Sequence, residues 1–230
     1  MSVPTYLQEQ LIKTLLYKPE NLRLIFSQTT NPAYCSNYFF KLIPVRTGIE
    51  LDITNITESI RGYLLKGISL PCFVLNVSNS TKDTNSELRI SPFTYRTFSL
   101  LKRVLDKLIY NDVRPSCNGG FHCHIDIKQY LSPGRTNNSI IRNRVFKYLN
   151  YILCVTKQST RGITKTNRTE KLLDNIIVDR NHPTIEYRVF DSTLNYTDIV
   201  KRVILLQQIT RSVVLNKPLD KQLCDNIMRY

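Results

Sequence analysis

The chain has 230 residues, enough for one large domain with a sizeable core, and its 42% hydrophobic and 22% charged content excludes a disordered or collagenous protein. Its 32 Lys and Arg against 18 Asp and Glu give a net charge of +14, which favours anionic partners such as nucleotides, nucleic acid or acidic peptides; the basic residues are scattered singly, without a dense nucleic-acid arm. The longest uncharged run, Gly67 to Thr81, contains Pro71 and is too short to span a bilayer as a helix, so no membrane segment is expected.

Residues 6–16 place Leu7, Leu11, Leu15 and Leu16 at helical spacing, and Pro19 ends the pattern. Glu9 and Lys13 interrupt this first apolar stretch, which argues against a signal peptide. The six cysteines lack the paired spacing of a zinc site, so reduced thiols and a cytoplasmic location are expected, in the host cytoplasm if the Asn-, Ile- and Lys-leaning composition reflects an AT-rich viral genome. Residues 38–45 read as a strand at an edge, because Pro44 cannot donate to a ladder.

Gly48-Ile49-Glu50-Leu51-Asp52-Ile53 alternates strictly, predicting a strand with Ile49, Leu51 and Ile53 buried and two carboxylates on the opposite face. Two adjacent negative charges repel, so such a pair is normally solvated or holds a cation. A short helix is expected over 59–66, a strand over 72–77 and a loop over 78–86. Glu87-Leu88-Arg89-Ile90-Ser91-Pro92 repeats the alternation, with Glu87, Arg89 and Ser91 together and Pro92 closing the strand. Residues 97–110 carry Leu100, Leu101, Val104, Leu105 and Leu108 as one helical face.

Cys117-Asn118-Gly119-Gly120-Phe121-His122-Cys123-His124-Ile125-Asp126-Ile127 follows, with two of the three histidines in the chain. Gly119-Gly120 marks a turn, after which His122, His124 and Asp126 share one strand face and Phe121, Cys123, Ile125 and Ile127 the other. Residues 132–138 read as a loop, about 139–155 as an amphipathic helix, and 158–174, with Arg161, Lys165 and Arg168, as exposed chain. Thr184 to Phe190 alternates again, with Glu186 and Arg188 on one face. Helices over 197–215 and 219–228 finish the chain.

The absence of repeats or linkers predicts a single domain, 1–230, and polar-faced strands among helices predict an α+β fold with an antiparallel or mixed sheet, since buried parallel strands would be apolar on both faces. Four strands each project ionisable groups: Glu50 with Asp52, Glu87 with Arg89, His122 with His124 and Asp126, and Glu186 with Arg188. On one side of one sheet they would make a hollow suited to a hard divalent cation with a phosphate-bearing ligand, because Mg²⁺ takes carboxylate oxygens and is shared with substrate phosphates that arginine binds bidentately. The competing outcome is four unrelated solvated faces.

The order Gly48-x-Glu50-x-Asp52, Glu87-x-x-x-Ser91-Pro92, Cys117-x-Gly119-Gly120-x-His122-x-His124-x-Asp126, Ser159-Thr160-Arg161 and Glu186-x-Arg188-x-Phe190 with Thr193-Leu194-Asn195 resembles the amidoligase family. That family belongs to the carboxylate-amine ligase superfamily of glutamine synthetase and glutamate-cysteine ligase. The match covers residues 46–215, between a helical preface with an edge strand (1–45) and a C-terminal helix (216–230). The resemblance implies a curved, mainly antiparallel sheet with helices on its convex side. It also implies an ATP- and Mg²⁺-dependent enzyme that joins a carboxylate to an amine through an acyl phosphate. The acceptor would be a peptide, a protein or a modified base. Carried over, Glu50, Asp52, Glu87, His122 and Glu186 are metal ligands. Arg161, Arg188 and Arg89 meet ATP phosphates, and His124 orients substrate or shuttles a proton. Glu50, Glu87, His124 and Arg188 form the catalytic set. Two positions depart from the family: Asn76-x-Ser78 and Asn79-Ser80 stand where it carries Asp-x-Ser, and Asp52 stands where it more usually has Glu. The alternative is a non-catalytic relative acting as a basic nucleic-acid- or protein-binding module.

Overall fold

A computed structural model describes residues 46–57, 75–79, 86–93, 98–117, 119–128, 140, 141, 143–145, 147, 148, 151, 176–178 and 184–229. The strands are β1 (Thr47–Thr54), β2 (Leu75–Asn79), β3 (Ser86–Phe93), β4 (Arg114–Pro115), β5 (Gly120–Asp126), β6 (Ile176–Val178) and β7 (Thr184–Asp191). The helices are α1 (Phe98–Tyr110), α2 (Tyr196–Val214) and α3 (Lys221–Arg229). Residues 140, 141, 143–145, 147, 148 and 151 are helical as well. The expected elements over 6–16, 38–45, 59–66, 132–138 and 158–174 lie outside the described residues, as does Arg161.

The fold is α+β. One open sheet runs β2-β3-β1-β5-β7-β6, with β4 paired to the end of β1, and every pairing among the described residues is antiparallel. The alternation read from the sequence appears as alternating burial. Ile49, Leu51, Ile53, Leu88, Ile90, Phe121, Cys123, Ile125, Ile185 and Tyr187 are buried in a core shared with Leu101, Val104, Leu105 and Leu108 of α1 and the apolar residues of α2. Each large side chain taken out of water here contributes about 1.5–3 kcal/mol. The helices therefore cover the apolar side of the sheet and leave the titratable groups on the other.

Two strand readings need correction. Pro92 does not close β3: the strand runs on to Phe93, and the register against β1 shifts between Thr47 and Ile49, so that Ser91 and Pro92 together face one residue. A bulge is where a strand tolerates a residue without an N–H. In β7 the register shifts between Phe121 and Cys123, which pair with Phe190 and Tyr187. The extra residue brings Tyr187 and Phe190, three apart, onto the same buried side, so alternation does not run through to Phe190. β2 runs on to Asn79, past the expected end at 77 and into the stretch expected as a loop.

α2 holds the sheet through polar contacts inside the core. Its N-cap Asn195 accepts from the Asp198 N–H, and eleven of its residues are buried. Gln207 Nε2 donates to Thr47 Oγ1 of β1 at 2.7 Å, and the Tyr187 hydroxyl of β7 lies 2.7 Å from Thr210 Oγ1. Arg202 lies over the rings of Phe121 and Phe190 and donates to the Asp191 carbonyl at 2.7 Å. Truncating Tyr187 to Phe leaves the buried Thr210 hydroxyl without this partner and is expected to cost about 1–2 kcal/mol in denaturant unfolding. An unchanged midpoint would show that Thr210 finds another partner.

The C-terminus of α2 closes as a Schellman turn. Asn216, at φ 53°, occupies the left-handed position, with its N–H on Val213 and the Lys217 N–H on Ser212. No described helix is long and apolar enough to cross a membrane. Cys117, Cys123 and Cys224 carry no disulfide, and burial pushes the Cys224 thiol up to about 12.

Candidate metal centre

The site is built across the four central strands. Register places Glu50 of β1 between Arg89 of β3 and His122 of β5, Asp52 opposite Glu87, and His124 of β5 opposite Glu186 of β7. Directly opposed residues share a face. His122 Nδ1 lies 3.3 Å from Glu50 Oε2 and 3.9 Å from Glu186 Oε1. His124 Nε2 lies 3.6 Å from Glu50 Oε1 and 3.8 Å from Glu186 Oε1. Arg89 donates twice to Glu87 Oε2, at 3.0 and 2.8 Å, and its Nε is 3.5 Å from Glu50. Arg188 Nε donates to Glu186 Oε1. The carboxylates are largely covered, Glu186 at 9% and Glu50 at 19% side-chain exposure, whereas Arg89 and Arg188 remain 53% and 42% exposed.

Among the described residues, two overlapping groups could hold a metal ion: Glu50, His124 and Glu186, and Glu50, Glu87 and His122, in each of which the ligand atoms lie within 4.8 Å of one another. Glu50 belongs to both. The donor chemistry fits a cation, and one atom argues for it in particular. His124 Nε2 is buried with no hydrogen-bond partner, and its carboxylate neighbours are beyond hydrogen-bonding distance. A ring nitrogen aimed between two carboxylates and bonded to neither suits coordination. Carboxylate oxygens suit Mg²⁺, and imidazole nitrogen extends the range to Mn²⁺ and Zn²⁺.

The carboxylates titrate in opposite directions. The hydrogen bond with His122 and then the neighbouring ring of His124 hold the Glu50 carboxyl far below the usual carboxylate range, whereas burial and then the neighbouring Glu50 raise that of Glu87, offset only in part by Arg89. A lowered group stabilises the fold above its unfolded pKa of 4.5 and loses that contribution as pH falls. A raised group penalises the fold at neutral pH, and the penalty disappears on acidification toward its unfolded 4.5. In metal-free protein at pH 7, Glu87→Gln is therefore expected to raise the melting temperature and Glu50→Gln to lower it. Each change should be about 2–4 °C, since partial exposure screens both groups. The Glu87 difference should already be gone by about pH 4.5, whereas the Glu50 difference should narrow only as pH falls below that value; equal signs at pH 7 would contradict the assignment.

Of the residues singled out from sequence, Glu50, Glu87, His122, His124, Glu186, Arg89 and Arg188 converge. Asp52 and Asp126 are engaged elsewhere: Asp52 Oδ2 accepts the Gly120 N–H at 2.7 Å, and Asp126 Oδ1 accepts the Lys128 N–H at 2.8 Å. Asn76 and Ser78 of β2 are register partners of Arg89 and Glu87. Sequence reasoning missed the knot that ends β1. There Ser116 N and Ser192 Oγ both donate to the Asp52 carbonyl, and the Ser116 hydroxyl is buried without a partner. Its only sequence signal was Gly119-Gly120. Comparison with protein-family models and with curated proteins finds no match.

Proposed function

We propose that this chain is an ATP-dependent carboxylate-amine ligase using Mg²⁺, a member of the glutamine synthetase and glutamate-cysteine ligase type of fold. The observation that carries the reading is the convergence of Glu50, Glu87, His122, His124 and Glu186 with Arg89 and Arg188 on the one sheet face that the described helices leave uncovered. The sequence resemblance across residues 46–215 supports it independently. Bound Mg²⁺ and ATP would supply the phosphoryl group that activates the donor carboxylate and the positive charge that its transfer requires.

The residues themselves do four things. Glu50, Glu87 and Glu186 offer carboxylate oxygens to the cation, and His122 lies against Glu50 so that this carboxylate stays ionised. Arg89 and Arg188, half exposed at the rim, can turn from Glu87 and Glu186 toward phosphate oxygens once a cation compensates the carboxylates. The ring of His124 lies beside them, placed to orient the substrate carboxylate or pass a proton. No Ser-His-Asp or Cys-His arrangement is needed, and Cys123 is buried in the core on the opposite side.

The experiment is a thermal shift with ATP and Mg²⁺, alone and together, followed by ADP release from ATP with a panel of carboxylic acids and hydroxylamine as the amine. Joint stabilisation beyond either ligand alone and hydroxamate formation are expected, both lost in Glu87→Ala. Additive or absent shifts, with salt-steep binding of nucleic acid instead, would favour a basic binding module.

A further inference from the structure

The two carboxylate oxygens that flank His124 Nε2 are already claimed. Glu50 Oε1, 3.6 Å from that nitrogen, has Arg89 Nε 3.5 Å away, and Glu186 Oε1, 3.8 Å from it, accepts from Arg188 Nε. The second ligand group is held in the same way, because Arg89 gives two N–H groups to Glu87 Oε2 at 3.0 and 2.8 Å. Each guanidinium stands two residues along its own strand from the carboxylate it holds, and those strands, β3 and β7, enclose β1 and β5. Positive charge belonging to the chain itself therefore grips the cluster from both sides.

Such contacts can serve either of two ends. An arginine behind a ligand carboxylate orients it and strengthens a metal site. An arginine on the oxygen that the metal needs competes with it, because a divalent cation and a guanidinium on one oxygen repel each other. Placement decides between the two. Arg188 donates to the very Glu186 oxygen that faces both His122 Nδ1 and His124 Nε2, and both arginines are about half exposed at the rim, on long side chains with room to swing outward, whereas the carboxylates are covered.

We propose that Arg89 and Arg188 are built-in competitors of the cation: they keep the carboxylates from a free divalent ion and give way when a polyphosphate anion takes the guanidinium groups, so that cation and anion load together. The inference rests on the cation reading of this cluster and adds the form of ligand it takes, a cation–polyphosphate complex in preference to the bare cation. Guanidinium binds phosphate oxygens bidentately, so the anion replaces the ion pairs that the cation breaks.

Calorimetric titration with Mn²⁺ alone, at about pH 8, tests it. Arg89→Gln and Arg188→Gln are each expected to bind Mn²⁺ about threefold more tightly than wild type, and the double variant about tenfold, since the charge each removes is partly screened at the rim. Arg89→Lys with Arg188→Lys keeps both charges and should bind about as weakly as wild type. In thermal shift, Mn²⁺ and inorganic tripolyphosphate together should stabilise wild type by more than the sum of the two alone, and the double Gln variant by no more than that sum. If the double Gln variant does not fold without a cation, the two single variants give the reading. The proposal is overturned by Mn²⁺ binding that is weaker or unchanged in the Gln variants, by Lys variants as tight as the Gln variants, or by no Mn²⁺ binding in any of them. Hydroxamate formation with unchanged Mn²⁺ affinity in the Gln variants would leave the ligase reading standing without this inference; tighter Mn²⁺ binding without ADP release would do the reverse.

Discussion

Replacing Glu50 by alanine is expected to weaken divalent-cation binding by about a hundredfold or more, measured by calorimetry with Mn²⁺ and Mg²⁺. Glu50 alone belongs to both ligand groups, so its removal leaves His124 with Glu186 on one side and Glu87 with His122 on the other, each pair short of a third ligand. The same change takes from His122 a carboxylate at 3.3 Å and from Arg89 one at 3.5 Å. Asp126→Asn is the control, because Asp126 lies at the far end of β5 and caps its own turn through the Lys128 N–H. Its affinity should match wild type. Undiminished binding in Glu50→Ala would mean that the cluster is an internal salt-bridge network without a metal, and the ligase reading would lose its cation.

The other large effect is expected at Gly119. A Cβ built there would lie 2.3 Å from the Asp52 Cβ and 2.5 Å from the Ser116 Cβ, atoms fixed to backbone and unable to swing away. The backbone is pinned as well, the Gly119 N–H donating to Ser116 and its carbonyl accepting from Ser192. Gly119→Val must therefore push β1 and β5 apart where they meet. A loss of about 3 kcal/mol is expected, seen as a melting temperature lower by roughly 6–12 °C. Asp52 also accepts the Gly120 N–H at the start of β5, two residues before His122, so cation affinity should fall along with stability. A variant that melts like wild type would show that the turn accommodates a side chain by shifting freely.

Much of this architecture can be read directly from period two. Glu50, Glu87, His122, His124, Glu186 and Arg188 were identifiable because each stands beside residues apolar enough to be buried, and a pleated strand sends neighbours to opposite faces. The bulges were not legible. Pro92 looked like a stop and Phe190 looked like part of the polar face, because local alternation carries no information about which residues a partner strand opposes. Asp52 was indistinguishable from Glu50 by pattern, yet a main-chain N–H from β5 claims it.

By itself, the sequence determined the α+β class, the apolar back and titratable front of each strand, and the helical stripes that cover the back, since each of these follows from side-chain spacing along one element. Only the tertiary structure decided that β3, β1, β5 and β7 lie side by side, so that imidazoles and carboxylates far apart in the chain come within 4 Å, and that Asp52 and Asp126 are drawn off to backbone partners. The reason is that strand order and register are set by which apolar faces pack best against α1 and α2, a property of the whole core that no single stretch carries.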